Sequence, residues 1–108
     1  MANPHRGEVA VWLGGERRVA RLTLGALAAL EATLGADSLV GVIERFESGR
    51  FASRDVIAVL VAGLRAGGWQ GTADDLMTVE IGGGPVEAAR LAAELLALAF
   101  RGPALPAG

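Results

Sequence analysis

The chain offers few side chains that could carry out chemistry. Its single histidine, His5, lies near the N-terminus, where no sequence feature fixes the ring or its tautomer. Asp74 and Asp75 are adjacent and would point about 100° apart on a helix, so they are typical of helix-start residues favoured by the helix dipole. Ser38 and Ser53 have no base partner and fit helix caps. We therefore expect that the chain is not an enzyme.

Metal and phosphate sites are equally unsupported by the sequence. A zinc site needs a cluster of His, Cys or carboxylates, and the chain has one histidine and no cysteine. Gly82-Gly83-Gly84 precedes a predicted helix as a phosphate loop would, but no Lys-Ser/Thr follows and Pro85 removes one backbone donor. This run is typical of a flexible connector. The sequence predicts no metal ion, no cofactor and no small-molecule substrate.

The two tryptophans are the remaining candidates for a site. Trp12 falls on the polar face of a predicted hairpin beside Arg17, and Trp69 lies in a glycine-flanked loop. Each can simply cover the local core, or each can contact a partner, because protein interfaces are enriched in tryptophan and arginine. We predict partner contacts at Trp12, Arg17 and Trp69 and leave the core-cover alternative open.

Charge argues against a nucleic-acid partner. The net charge is −2 and the pI about 5.3, with basic residues spread among acidic ones, so no electrostatic footprint for nucleic acid is present. The second predicted strand does carry a basic cluster, but acidic side chains lie beside it: Arg17, Arg18 and Arg21, with Glu8 and Glu16.

Length and hydropathy predict a single domain at residues 1–101, with a Gly/Pro/Ala-rich and disordered tail at 102–108. The absence of cysteine suits a reducing cytoplasm. The N-terminus lacks the apolar run of a signal peptide, and the longest apolar stretch is too short to span a bilayer. We expect a soluble, cytoplasmic protein without a membrane partner. Its many alanines bury little area per residue, which favours self-association or a partner.

A β-hairpin is predicted at the N-terminal end. Residues 8–13 and 16–22 are rich in β-branched and apolar side chains and flank Gly14-Gly15, a two-residue loop that suits a primed turn. Closing the turn there separates an apolar face from a polar one. The predicted pairs are Val9 with Ala20, Val11 with Arg18, Trp12 with Arg17 (a possible cation–π contact) and Glu8 with Arg21 (an ion pair).

Helical spacing of apolar residues predicts that four or five helices follow, giving an α+β domain in which the hairpin packs on a small bundle. Their expected limits are Leu24 to Gly35 after a Thr23 cap, Asp37 or Ser38 to Gly49, Ser53 to Gly67-Gly68, Ala73 to Val79, and Pro85 to about Arg101. The first helix has one charge, Glu31, so we expect it to be buried on most sides. The predicted core is Val9, Val11, Leu22, Leu27, Leu34, Ile43, Phe46, Ile57, Leu60 and Leu64.

The last predicted helix is apolar on two sides. Charges occupy one narrow stripe, and a helix this apolar lies in a core or at an interface. We predict that whichever apolar side is outside the core binds another copy or a partner. The residues named for this contact are Leu91, Leu95 and Leu98.

The order of these pieces resembles the small tail protein of gene transfer agents, the phage-like particles of alphaproteobacteria. The resemblance begins with Gly7-Glu8-Val9 and is most specific in the string RLTLGALAALE, from Arg21 to Glu31. It continues in pieces over roughly residues 3–100: Ser38-Leu39, Phe46, Gly49-Arg50, Ser53-Arg54-Asp55-Val56-Ile57, Ala62-Gly63-Leu64-Arg65 and residues 72–76. The chain departs from relatives at Gly14-Gly15, where they often carry Asp-Gly, and at Trp69, where they often have a plain glycine-rich loop.

The resemblance implies a non-enzymatic protein similar to phage tail assembly chaperones, which coat the tape-measure protein until the tail tube polymerises around it. It also implies contacts with other tail proteins and possible homo-oligomers. Apolar helices suit reversible helix-in-groove contacts with a long helical chain. The first alternative is a structural, tube-associated tail component that stays in the particle, where the protein would then be located. A small regulatory or DNA-binding protein is a further alternative, disfavoured by the charge.

Overall fold

The computed structural model describes residues 6–34 and 38–101, and within them the predicted hairpin is confirmed. Strand β1 (Val9–Leu13) pairs antiparallel with β2 (Glu16–Ala20) in the predicted register, which places Trp12 opposite Arg17. Gly14 and Gly15 form the turn with φ angles of 56° and 84°. Two successive positive φ angles are what a type I′ turn requires, and glycine adopts them without steric cost.

Five helices follow the hairpin in the described part of the chain, which gives the α+β architecture predicted from the sequence. They are α1 (Leu24–Leu34), α2 (Leu39–Ser48), α3 (Ser53–Ala66), α4 (Ala73–Thr78) and α5 (Gly84–Arg101). The Gly35 end of α1, the Asp37 cap alternative, His5 and the tail at 102–108 lie outside the described residues.

Side-chain caps start most of these helices as expected. Thr23 Oγ1 accepts from the Ala26 N–H at 3.1 Å, and Ser38 Oγ accepts from the Gly41 N–H at 3.1 Å. At α4, Thr72 and Asp75 form a capping box: Asp75 N–H donates to Thr72 Oγ1, and Thr72 N–H donates to the Asp75 carboxylate at 2.8 Å. The aspartate therefore replaces the usual glutamate without losing the reciprocal bonds.

The Ser53 cap predicted for α3 is wrong. Ser53 is the first residue of the helix, and the cap position belongs to Ala52, which has no side-chain acceptor. The carboxylate of Asp55 supplies the bond instead, accepting from the Ala52 N–H at 2.8 Å. An acidic side chain at the third position thus closes the helix start in place of a hydroxyl.

The core lies where the hairpin, α3 and α5 meet, with α1 and α4 packed on α3 and α2 packed on α5. None of the ten predicted core residues is exposed, but the prediction is confirmed only for those that are buried. Four are buried: Val9, Val11, Leu60 and Leu64. The others are half-buried: Leu22, Leu27, Leu34, Ile43, Phe46 and Ile57.

The end of β1 has a second backbone partner that the sequence did not indicate. Gly14 N–H donates to the carbonyl of Glu80 at 2.8 Å, and Gly82 N–H donates to the carbonyl of Trp12 at 2.9 Å. Leu13 forms an antiparallel bridge with the residue that lies between Glu80 and Gly82. The segment before α5 therefore covers part of the outer edge of β1 and fixes the hairpin turn to the helical part.

The predicted polar contacts on the outer face of the hairpin do not form. Arg21 lies just beyond β2, and its backbone N–H donates to the carbonyl of Gly63 on α3 at 3.0 Å, so the chain has left the sheet there. Arg21 consequently forms no ion pair with any described residue, Glu8 included. Across the described chain Trp12 makes no cation–π contact with Arg17, although the two lie opposite each other.

The expectation that α1 is buried on most sides is wrong. Only Ala26 and Leu30 are buried, both on one side of the helix, and Leu24 is 84% exposed. The reason is position: α1 packs chiefly on α3. A helix that is apolar all round is therefore covered along one side only.

Candidate protein-interaction surfaces

The outer face of the hairpin presents an aromatic side chain. Trp12 is 50% exposed. The base of its side chain lies against Gly82, where an added Cβ would stand only 2.8 Å from the Trp12 Cβ. Because Gly82 also donates to the Trp12 carbonyl, the tryptophan is held by close backbone contact while half of its surface faces solvent.

An arginine lies beside this tryptophan. Arg17 lies opposite Trp12 on the same face, and Arg21 follows the last residue of β2; both are exposed. Neither forms an ion pair with the rest of the described chain, whereas Arg18 binds Glu16 at 3.2 Å. We call the surface of Trp12, Arg17 and Arg21 the hairpin face.

A second surface is an apolar groove of about 430 Å³ between α2 and α5, here called the α2–α5 groove. Its apolar lining consists of Ile43, Phe46, Ala93, Leu96, Ala97 and Phe100, and Glu47 and Glu94 complete the lining. Phe100 is 49% exposed, and the ring of Phe46 stacks on Phe51 with centroids 4.8 Å apart. The stacking fixes one wall of the groove.

Charges along α5 are arranged in pairs beside the groove. Arg90 donates two hydrogen bonds to Glu87, at 2.7 and 2.6 Å, and one to Glu94 at 3.3 Å. The bonds from Arg90 hold the pKa of the Glu87 carboxyl below its ordinary value and raise the pKa of the Arg90 guanidinium. The predicted charged stripe on this helix is thus an ion-pair ladder.

Burial corrects the predicted contact residues on the last helix. Leu91 is 4% exposed and Leu95 is fully buried, and Leu98 is half-buried against the core. The first two are core residues, because this side of α5 packs on α3 and the hairpin, and they cannot reach a partner without unfolding. The side of α5 left partly open is the one that lines the α2–α5 groove, with Ala93, Ala97 and Phe100.

Trp69 has a different environment from Trp12. It is half-buried and packs against the core, and its backbone N–H donates to the carbonyl of Leu64 at 2.9 Å. Its ring lies directly over Gly71, so any larger residue there would overlap the indole. These contacts favour the alternative in which Trp69 covers the local core. A partner contact at Trp69 stays a prediction.

Sequence reasoning missed a buried ion pair between α2 and α3. Asp55 is 1% exposed and accepts two bonds from Arg45, at 3.1 and 2.9 Å, in a bidentate pair. The bonds from Arg45 and from the Ala52 N–H hold the pKa of the Asp55 carboxyl below its ordinary value. The available signal was an acid in the first turn of one helix and an arginine in the last turn of the helix before it.

No group of three metal-ligating side chains occurs among residues 6–34 and 38–101. In the same ranges, no single helix is long and apolar enough to cross a bilayer. One sharply bent pair of helices, α1 with α2, is long and apolar enough when the two are taken together, by length and composition only.

The fold and its surfaces describe a small α+β domain that exposes an aromatic–basic face, an apolar groove and an apolar helix. The family described as phage tail tube protein, GTA-gp10, matches residues 6–102. The chain therefore belongs to this family and is a phage-like tail protein of the gene transfer agent type, as the resemblance indicated. No curated protein and no solved structure matches the chain.

Proposed function

We propose that the protein is a structural component of the tail that stays in the finished particle and binds other tail proteins. The family description, a tail tube protein, supports this function better than the temporary chaperone that the sequence first suggested. That description names no chaperone and no tape-measure partner. The tape-measure contact is therefore kept as the alternative to be tested.

The observation that carries the proposal is the exposure of α1. Its only charged residue is Glu31, and its exposed side includes Leu24, Ala28, Ala29 and Ala32. Such a helix is normally buried, and contiguous exposed apolar surface marks protein contacts. A partner that covers α1 would complete the burial that the monomer leaves unfinished.

The shape beside α1 suits a helical partner. A cleft of about 440 Å³ runs between α1 and α3, and its lining includes several alanines: Ala26, Ala29, Ala58, Ala62 and Ala66. Small side chains allow close approach of another helix, as in helix-in-groove contacts. We infer that a helix of a neighbouring tail protein lies in this cleft.

The test is quantitative mass spectrometry of purified particles, with the major capsid protein as the internal standard. We expect the protein at a fixed number of copies per particle, unchanged by further purification. Absence from purified particles, together with abundance in the lysate of producing cells, would overturn the structural role and support the temporary chaperone. Co-purification of the tape-measure chain from that lysate would then identify the partner.

A further inference from the structure

We propose that residues 102–108, which follow α5 in the sequence, fold back and cover the α2–α5 groove of the same molecule, with Leu105 lying between the two helices. We call this segment the strap. The inference goes beyond the proposed function and does not depend on it, because it concerns contacts within one chain. It gives the groove an occupant other than a partner protein or a second copy.

The chemistry of the α2–α5 groove favours an uncharged, apolar occupant. Its lining is mostly apolar, and its two acidic residues are already engaged: Glu94 accepts a hydrogen bond from Arg90 at 3.3 Å, and Glu47 has an interaction of its own. Neither carboxylate therefore requires a cationic partner. Phe100, which also lines the groove, leaves half of its surface in water. A segment that covered this ring would remove apolar area from water at no cost in buried charge.

The strap has the composition that the groove requires. Its sequence, GPALPAG, contains no charged side chain and no hydrogen-bonding side chain. Leu105 is its largest apolar side chain, and burial of a leucine is favourable in proportion to the apolar area that leaves water. Pro103 and Pro106 restrict the backbone on both sides of the leucine, so docking costs less conformational entropy than it would for a flexible segment.

The geometry of the chain brings the strap to the groove. Helix α5 ends one residue after Phe100, so the strap begins where the groove lining ends. Gly102 follows the helix, where a left-handed glycine commonly ends a helix and turns the chain, and Pro103 cannot continue the helix. The α5 wall of the groove, residues 93–100, is about 10 Å long. Leu105 lies three residues beyond Gly102 and so reaches back by up to about 10 Å.

Covalent attachment favours this occupant over others. A segment joined to its binding site by a few residues is present at an effective concentration on the order of millimolar, whatever the concentration of the protein. A segment of another protein would first have to displace it. The groove is thus closed in the free protein, and the strap is ordered by the groove, in contrast to the disorder that its Gly/Pro/Ala composition predicts.

The first experiment is methyl NMR of the full-length chain, in which three isoleucines give a simple spectrum. Ile43 lines the α2–α5 groove, whereas Ile57 and Ile81 line a different groove between α3, α4 and the start of α5. Leu105→Ser should shift the δ1-methyl signal of Ile43 by more than its line width and leave the other two in place. Ala107→Ser, in the same segment, is the matched control and should shift none of the three.

The second experiment is disulfide trapping, which the absence of cysteine from the chain makes specific. Leu105→Cys combined with Ala97→Cys, in the groove, should form an intramolecular disulfide at least about tenfold faster than Leu105→Cys combined with Glu44→Cys. Glu44 is exposed on α2 outside the groove lining, so an undocked strap would reach it at least as readily as the half-buried Ala97. Mass spectrometry of the unreduced protein separates disulfides within one chain from those that join two chains.

An Ile43 signal that Leu105→Ser leaves in place would overturn the inference, and so would equal trapping rates for the two cysteine pairs. Disulfides that join two chains would overturn it as well, because the groove would then hold the strap of a second copy. Both experiments use the purified chain alone and do not depend on whether the protein is found in particles. The failure of this inference is therefore distinguishable from the failure of the proposed function.

Discussion

At the scale of single residues, Asp55 has two structural roles. Its carboxylate holds Arg45 of α2 and also closes the start of α3 through the Ala52 N–H. Asp55 is 1% exposed, whereas the Arg45 side chain is 28% exposed. A buried carboxylate that loses its partner is strongly unfavourable, while an arginine near the surface can turn towards water.

We expect Asp55→Ala to lower the free energy of unfolding by about 2 kcal/mol, because it removes the helix-start bond and the bonds that Arg45 donates, while the Arg45 left behind can turn towards water. Urea denaturation followed by circular dichroism measures the change. The matched control is Glu16→Ala, which breaks the exposed pair with Arg18 and should change the free energy by less than about 0.5 kcal/mol. Similar losses in both variants would contradict a special role for the buried pair.

The same carboxylate predicts a pH dependence. Hydrogen bonds from Arg45 and Ala52 hold the pKa of Asp55 below its ordinary value of 3.8. A group with a lowered folded pKa stabilises the fold above its unfolded pKa and loses that contribution as the pH falls through the folded pKa. The stability difference between wild type and Asp55→Asn should be constant above about pH 5 and shrink below 3.8. A difference at about pH 2 equal to that at pH 7 would refute this assignment.

At the scale of elements, α1 can be tested by a matched pair of substitutions. Leu24 and Val86 each lie in the first turn of a helix and are 84% and 83% exposed. Leu24→Glu and Val86→Glu should both leave the melting temperature nearly unchanged, because an acid in the first turn is favourable. If α1 binds a neighbouring tail protein, Leu24→Glu alone should reduce incorporation into particles severalfold, as counted by mass spectrometry. Equal incorporation of both variants would exclude Leu24 from the contact.

The hairpin turn allows a stabilising change. Gly14 has a φ of 56°, which asparagine tolerates, and a Cβ there would meet only the Val79 side chain at 3.5 Å, an ordinary contact. Gly14→Asn should therefore raise the free energy of unfolding by about 0.5 kcal/mol, mainly by restricting the unfolded chain. Chemical denaturation of Gly14→Asn beside Gly14→Val provides the test, since a β-branched residue at positive φ should destabilise. Stabilisation by valine would contradict the turn geometry.

At the scale of the whole molecule, the features that the sequence predicted are mostly local. The turn at Gly14-Gly15 sets the hairpin register, and hydroxyls at Thr23 and Thr72 start helices through residues three positions away. Helical spacing predicted part of the core, including Leu60 and Leu64. Such features depend on residues close by in the sequence, so they can be predicted from the sequence without knowing how the elements pack.

The features that the sequence did not predict depend on distant parts of the chain. The exposure of α1 depends on which elements lie beside it, and periodicity shows only that the helix is apolar. Likewise, the sequence does not distinguish the two apolar sides of α5, and only the packing shows that Leu91 and Leu95 lie in the core. Of the candidate site, the sequence indicated the exposed Trp12 beside Arg17, but the α2–α5 groove needs two helices in register and has no local signal.

The backbone pairing between β1 and the segment before α5 has a consequence for how the chain folds during synthesis. The hairpin is made first, yet Glu80 and Gly82, which pair with its outer edge, are more than half the chain away, and Leu91 and Leu95 follow later still. Contacts this distant in sequence carry a loop-closure entropy and slow folding. Until α5 has left the ribosome, the apolar side of the hairpin is therefore covered only in part, by α3. A nascent chain arrested before Gly82 should remain sensitive to proteases and prone to chaperone capture, and protection should appear in one step once α5 emerges.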